Sequence, residues 1–149
     1  FLVMKLILFF CLLSIRLLSQ SEIKNYNSEF HQSLELIKLN DVIKYNFLLK
    51  SCNKIIIGEE THTYQKNDST IVIPKNVIDS HSLNYLTCFI VHQLKHIEIV
   101  SWSASEISSK RAEYICYQTE YGFFTKLQNT EDWLRELIVG KMIEYNNSR

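Results

Sequence analysis

Apolar side chains recur at the period of an α-helix along most of this chain. The first such stretch covers residues 22–50, where Phe30, Leu34 and Ile37 lie on one helical face. The polar pair Asn40–Asp41 interrupts the stripe, so the pattern predicts two helices there rather than one. We therefore expect a helical pair ahead of the rest of the fold.

Two short β-branched runs follow, and both have the composition of strands. They are Lys54–Ile57 and Thr70–Ile73, and Pro74 ends the second because proline has no backbone N–H to offer a sheet. The polar cluster Lys66–Ser69 between them favours a turn. We expect the two runs to form a small antiparallel hairpin or meander that precedes the next helix.

Helical stripes resume after the second strand and continue to the end of the chain. Asp79–Ser80 is predicted to cap a helix that runs to about Val100. Ser103–Glu106 fits a capping box and opens a helix that runs to about Leu127. Asn129 or Thr130 then caps a last helix. With the two strands, these helices predict a mainly helical α+β domain.

Composition excludes several functional classes. The chain has 149 residues, and its 16 Lys and Arg are balanced by 16 Asp and Glu. This length suits one domain with a core of its own, and the charge balance gives no electrostatic reason to expect binding to nucleic acid or to an anionic membrane. Three Gly and one Pro also argue against a linker-rich or low-complexity chain.

The beginning of the sequence has the pattern of a secretory signal peptide. Met4–Lys5 gives a basic start, Leu6–Leu13 an apolar stretch, and small polar residues follow up to Ser21. A membrane anchor is the alternative, but the apolar run is too short to span a bilayer and Arg16 interrupts it. We therefore expect an exported protein, secreted or in the cell envelope, with no stable membrane span.

The expected boundaries are a signal peptide over residues 1–20 and a single domain over residues 21–149. Phe1–Val3 precede the first methionine, and we interpret them as an extension of the gene model. Removal of the signal would leave three cysteines, which we interpret as buried core residues because the chain has no CxxC motif. These three are Cys52, Cys88 and Cys116.

The pentad His92-Gln93-Leu94-Lys95-His96 is the main chemical motif of the sequence. Residues four apart lie on one face of a helix, so His92 and His96 can reach the same metal ion. This is the histidine spacing of the zinc-peptidase motif His-Glu-x-x-His, in which the glutamate deprotonates a zinc-bound water. Gln93 stands where that glutamate would be, and an amide cannot take up a proton near neutral pH.

Beyond the pentad, the chain resembles the gluzincin-like zinc metallopeptidases over roughly residues 54–127. In that family the helix with the two histidines is followed by a helix that gives a glutamate as third ligand. The stretch Ala112-Glu113-Tyr114 looks like this third-ligand helix in small bacterial members. The resemblance implies a zincin fold, with Gln93 at the general-base position.

The resemblance also implies that His92, His96 and Glu113 hold a Zn²⁺ ion. Glu120 lies two turns after Glu113 on the same helical face, so it is the alternative third ligand. Two other acidic residues are set aside, one on the wrong helical face and one in the predicted cap: Glu98 and Glu106.

The remaining polar and aromatic candidates have simpler interpretations. The other histidines are expected at caps, in loops or on the first helix: His31, His62 and His81. Three cationic residues are expected to be solvated: Lys95, Lys110 and Arg111. Four tyrosines are expected to be core or rim aromatics, although one of them could donate a hydrogen bond to a developing oxyanion: Tyr64, Tyr114, Tyr117 and Tyr121.

We therefore expect an exported zinc-binding protein of the metallopeptidase type, whose peptide hydrolysis is impaired or lost because of Gln93. A general base contributes about 10²–10⁴ in rate, and this is the expected loss. An alternative is a secreted peptide-binding or inhibitory module that uses the same cleft without cutting, with an exposed strand edge at Ile71–Ile73 for an extended peptide. A further alternative is a small helical envelope protein without a metal.

Overall fold

The structure is a computed structural model that describes residues 28–58, 64–65, 70–102 and 109–147. The predicted signal peptide, the predicted domain boundary at residue 21 and the predicted capping box at Ser103–Glu106 lie outside these ranges. Within them, no helix combines the length and the apolar character that a membrane span requires.

Two helices open the described chain. Helix α1 covers Ser28–Asn40 and helix α2 covers Val42–Ser51. Asp41 separates them, and its carboxylate caps α2 by accepting a hydrogen bond from the Lys44 amide at 3.0 Å. The predicted helical pair and its break at Asn40–Asp41 are therefore confirmed.

A three-stranded sheet follows the helical pair. Its strands are β1 at Lys54–Gly58, β2 at Tyr64–Gln65 and β3 at Thr70–Pro74, and their order is β1-β3-β2. Strands β1 and β3 run parallel, with Ile55 opposite Ile71. Strand β2 runs antiparallel to β3 on its other side.

The predicted antiparallel pairing of the two β-branched runs is wrong. Strands β1 and β3 are parallel because the chain between them adds β2, and β2 takes up the antiparallel pairing with β3. The predicted exposed edge at Ile71–Ile73 is wrong as well. Ile71 and Ile73 are 0% and 1% exposed, since β3 is paired on both sides in the middle of the sheet.

Four more helices complete the described chain: α3 at Lys75–Asp79, α4 at Leu83–Trp102, α5 at Ser109–Phe124 and α6 at Asp132–Asn146. Helix α4 begins later than predicted, because Ser82 provides its cap instead of Asp79–Ser80. The Ser82 Oγ accepts a hydrogen bond from the Tyr85 amide at 3.1 Å. His81, with a left-handed φ of 51°, separates α3 from α4.

The predicted cap of the last helix at Asn129 or Thr130 is also wrong. Asn129 has a left-handed φ of 53° in the connection, and Glu131 is the residue that precedes α6. The Glu131 carboxylate instead accepts hydrogen bonds from Ser82 Oγ at 2.6 Å and from Asn84 Nδ2 at 2.8 Å. It therefore joins the beginnings of α4 and α6.

Helix α4 lies at the centre of the fold and positions the pentad. It packs against α1, α5 and strand β3, while α6 packs against α5. Its apolar side chains Ile90, Leu94 and Ile97 are each at most 2% exposed and form part of the core. The described chain is thus mainly helical with a small sheet, as predicted, and the antiparallel hairpin is replaced by a mixed sheet.

Candidate metal centre

The two histidines of the pentad approach each other on α4. One helical turn separates them, and His92 Nε2 lies 3.2 Å from His96 Nε2. Donors bound to tetrahedral zinc at bonds of about 2.1 Å are separated by about 3.4 Å. The spacing of the two nitrogens therefore suits a single metal ion without a change of rotamer.

Helix α5 brings Glu113 against both histidines. Its Oε2 lies 3.3 Å from His92 Nε2, and its Oε1 lies 3.2 Å from His96 Nε2. Each oxygen of Glu113 thus faces one histidine, and we call the cluster of these three side chains the donor triangle. The structure thus brings together the three residues that the sequence predicts as metal ligands.

Glu120 meets the other side of the His92 ring. Its Oε2 lies 2.9 Å from His92 Nδ1, and both side chains are almost completely buried. Glu120 was the alternative ligand in the sequence, but here it contacts the nitrogen that faces away from the donor triangle. With a metal bound at Nε2, a carboxylate in this position would hold the proton on Nδ1.

The two carboxylates dominate the electrostatics of this cluster. Burial acts to lower the pKa of His92, but the hydrogen bonds that its ring donates to Glu113 and Glu120 outweigh burial and raise that pKa to about 9. Burial acts to raise the pKa of Glu113, yet its contacts with His92 and His96 lower that pKa to about 2. The cluster thus favours positive charge at the same atoms that would hold a divalent cation.

Cys116 adds a sulfur donor beside the same histidines. It lies one turn after Glu113 on α5, is 0% exposed, and has its Sγ within 4.8 Å of a nitrogen of both His92 and His96. His92, His96 and Cys116 form a group that could hold a metal ion. The sequence predicts Cys116 as a core residue, which its burial confirms, but the sequence gives no sign of this contact.

Gln93 is buried next to the cluster. Its side chain is 3% exposed, and its Oε1 has no hydrogen-bond partner among the described residues. It lines a cavity of about 320 Å³ together with His92 and Glu113. A buried acceptor without a partner is costly, so it favours a site at which a donor from outside the chain is bound.

Aromatic side chains form much of the cavity wall. The Tyr117 ring lies edge-on to the His92 ring, with centroids 4.3 Å apart, and it stacks on Tyr145 of α6. Tyr85 and Phe89 of α4 line the same space. Of the tyrosines considered from the sequence, Tyr117 is the one that the described structure brings to the cluster.

The other sequence candidates lie away from this cluster. His31 is exposed on α1, and the His81 side chain is 80% exposed, 3.7 Å from Glu29. Glu98 pairs with Lys95 on α4, and both side chains are half-buried. His62, Glu106 and the Tyr64 side chain lie outside the described structure, and two further tyrosines make other contacts: Tyr114 and Tyr121.

Comparisons with known proteins add no relative. No family model matches the chain, and no characterised protein or solved structure shows significant similarity to it. The resemblance to gluzincin-like metallopeptidases therefore stays a prediction, and the case for function depends on the geometry of the cluster.

Proposed function

We propose that this protein is an exported zinc-binding protein of the metallopeptidase type, in which peptide hydrolysis is impaired or lost. The observation that carries the proposal is the donor triangle of His92, His96 and Glu113. The two Nε2 atoms lie 3.2 Å apart, and each is 3.2 or 3.3 Å from a different oxygen of Glu113. Two imidazoles and one carboxylate are a donor set common in zinc enzymes. The zincin fold and export are parts of this proposal that follow from the sequence.

The surroundings of the triangle support the same assignment. Histidines that bind metals almost always give their other ring nitrogen to a carboxylate or carbonyl, and Glu120 stands at His92 Nδ1 in this way. Tyr117, Tyr85 and Phe89 give the cavity beside the cluster a largely aromatic wall. Bound zinc would supply Lewis acidity, lowering the pKa of water and polarising a carbonyl group.

Gln93 is the reason to propose impaired hydrolysis. It follows the first ligand on α4 and lines the cavity, as the general base of a metallopeptidase would. Its amide can accept a hydrogen bond but cannot take up a proton near neutral pH. We expect a rate lower by about 10²–10⁴ than that of an enzyme with glutamate in this position.

The same residue favours a second candidate function, a secreted peptide-binding or inhibitory module. A peptide N–H in the cavity would give Gln93 Oε1 the partner that it lacks among the described residues. Aromatic walls suit an apolar side chain of such a peptide. The cavity replaces the edge of β3 as the proposed contact, because β3 is buried inside the sheet.

Zinc content of the purified full chain tests the proposal. We expect about one zinc per chain by elemental analysis, and loss of most of it in His96→Ala. His31→Ala is the matched control, since His31 is exposed on α1, away from the cluster. Zinc-free protein after refolding with excess zinc would contradict the proposal and favour a helical protein without a metal.

Activity then separates the two candidate functions. Zinc-loaded protein that cleaves a peptide library slowly, with cleavage lost in His96→Ala, favours a residual peptidase. Zinc-loaded protein that retains peptides without cleaving them favours the binding module.

A further inference from the structure

Cys116 is the donor of this region that the metallopeptidase assignment does not use. Its side chain is completely buried, and its Sγ lies within 4.8 Å of a ring nitrogen of both His92 and His96. Helix α5 presents it one turn after Glu113, on the helix that already supplies the carboxylate. Thiolate sulfur is a preferred zinc ligand, so its position next to two imidazoles calls for an explanation.

The distance is compatible with binding to the same ion. Bonds of about 2.3 Å to sulfur and about 2.1 Å to nitrogen bring tetrahedral S and N donors to about 3.6 Å from each other. The 4.8 Å limit on the distances from Sγ to the two histidine nitrogens exceeds this spacing by at most about 1.2 Å, a difference on the scale of a small side-chain adjustment.

Cys116 is completely buried and does not line the cavity. His92, Gln93 and Glu113 are among the residues that do line it. Three donors fix three corners of a tetrahedron, and the fourth corner can be filled from the cavity or from the interior. Cys116 is the sulfur donor on the interior side.

We propose that Cys116 is a fourth zinc ligand, which closes the site from the interior of the protein. This inference rests on the proposed zinc site and refines it. The thiol proton leaves to solvent as the bond between sulfur and zinc forms, because thiolate is the form that binds metals. Zinc sites with four protein ligands are structural, so the site would stabilise α4 against α5, and Cys116 would compete with water for the fourth position.

Substitution of zinc by Co²⁺ tests this inference on the full chain. A Co²⁺ ion bound by thiolate gives a sulfur-to-cobalt charge-transfer band in the near ultraviolet, and tetrahedral coordination gives intense bands in the visible. We expect both in the wild type. Cys116→Ala should lose the charge-transfer band and keep visible bands, with metal affinity lower by at least about tenfold.

Cys88→Ala is the matched control. Cys88 is also 0% exposed and lies one turn before His92 on α4, but it does not belong to the group of metal donors. This variant should keep both sets of bands. Loss of the charge-transfer band in Cys88→Ala, with its retention in Cys116→Ala, would overturn the assignment to Cys116.

The outcomes also separate this inference from the proposed function. Visible bands without charge transfer in the wild type would overturn the role of Cys116 and leave the zinc site intact. Absence of Co²⁺ and Zn²⁺ binding would overturn both. Should Cys116→Ala fail to fold, X-ray absorption of the zinc-loaded wild type decides, because a sulfur neighbour at about 2.3 Å supports the inference and its absence overturns it.

Discussion

Glu120 Oε2 lies 2.9 Å from His92 Nδ1, on the opposite side of the imidazole from the donor triangle. In the proposed zinc site this contact would orient the ring and hold a proton on Nδ1. We therefore propose that Glu120 is a positioning residue rather than a ligand. The role follows from the position of His92 between two carboxylates of α5, at Glu113 and Glu120.

The first prediction concerns this positioning role. Glu120→Gln keeps the size of the side chain but removes its charge, so we expect zinc affinity to fall by about 10–100-fold. Competition with a chromophoric chelator measures the affinity. Glu35→Gln is the control, since Glu35 pairs with Lys38 on α1, away from the cluster, and should leave the affinity unchanged. Equal affinities for wild type and Glu120→Gln would show that Glu120 does not act on the metal.

The second prediction restores the missing base. Gln and Glu are nearly isosteric, and the carboxylate of Gln93→Glu would stay ionised beside a bound cation. In the Cys116→Ala background, where the interior ligand is removed, we expect peptide hydrolysis to rise by about 10² or more. Gln93→Glu alone should gain less, because Cys116 would still compete with water.

Initial rates on a fluorogenic peptide library measure this gain. His96→Ala in the doubly substituted protein is the control, since it removes a ligand and should abolish the activity. A doubly substituted protein that carries zinc and remains inert would show that the cavity has lost more than its base. The peptide-binding module would then be the better account of the protein.

The third prediction concerns the effect of the metal on stability. A ligand that binds the folded state at about 100 times its Kd adds about 2.7 kcal/mol to the free energy of unfolding. We therefore expect excess zinc to raise the Tm of chelator-treated protein, as followed by circular dichroism. His96→Ala should show little or no shift, whereas a shift equal to that of the wild type would indicate binding elsewhere.

The fourth prediction uses the link between α4 and α6. Burial acts to raise the pKa of Glu131, but hydrogen bonds from Ser82 and Asn84 outweigh it and lower that pKa below its ordinary value of 4.5. A carboxyl group with a lower pKa in the folded state stabilises the protein above its ordinary pKa. This contribution is lost as the pH falls through the lowered value.

Urea unfolding of metal-free protein checks this prediction. The free energy of unfolding is measured at two pH values, one near neutral and one well below the ordinary pKa of Glu131. The wild type should lose more stability on acidification than Glu131→Gln, which has no proton to take up at this position. Glu136→Gln, on an exposed side of α6, should behave like the wild type. An equal loss in wild type and Glu131→Gln would contradict the prediction.

Local patterns predicted the parts of the fold that depend on neighbours in sequence. The helical stripe of α4 and the four-residue spacing of His92 and His96 placed both imidazoles on one face, because helix geometry alone determines this. Glu113 was predicted as the third ligand from the resemblance to gluzincin-like metallopeptidases. The packing of α5 on α4 brings it to the histidines.

Long-range contacts account for what the sequence missed. The direction of β1 relative to β3 depends on the course of the chain between them, and composition carries no signal for it. The approach of Cys116 depends on how α5 packs on α4, so its apolar character was the only feature visible beforehand. The seven-residue interval from Glu113 to Glu120 did signal a shared face, but it could not tell a ligand from a positioning residue.

Helix α6 contributes Leu137, Lys141 and Tyr145 to the wall of the cavity, and none of these belongs to the donor cluster. The cluster itself comes entirely from α4 and α5. Changes in α6 can therefore alter which molecule fits the cavity while the ion-binding chemistry is preserved. Substitutions in α6 can thus change the choice of bound molecule separately from metal affinity. An engineered variant could be given a new ligand without any change to the metal donors.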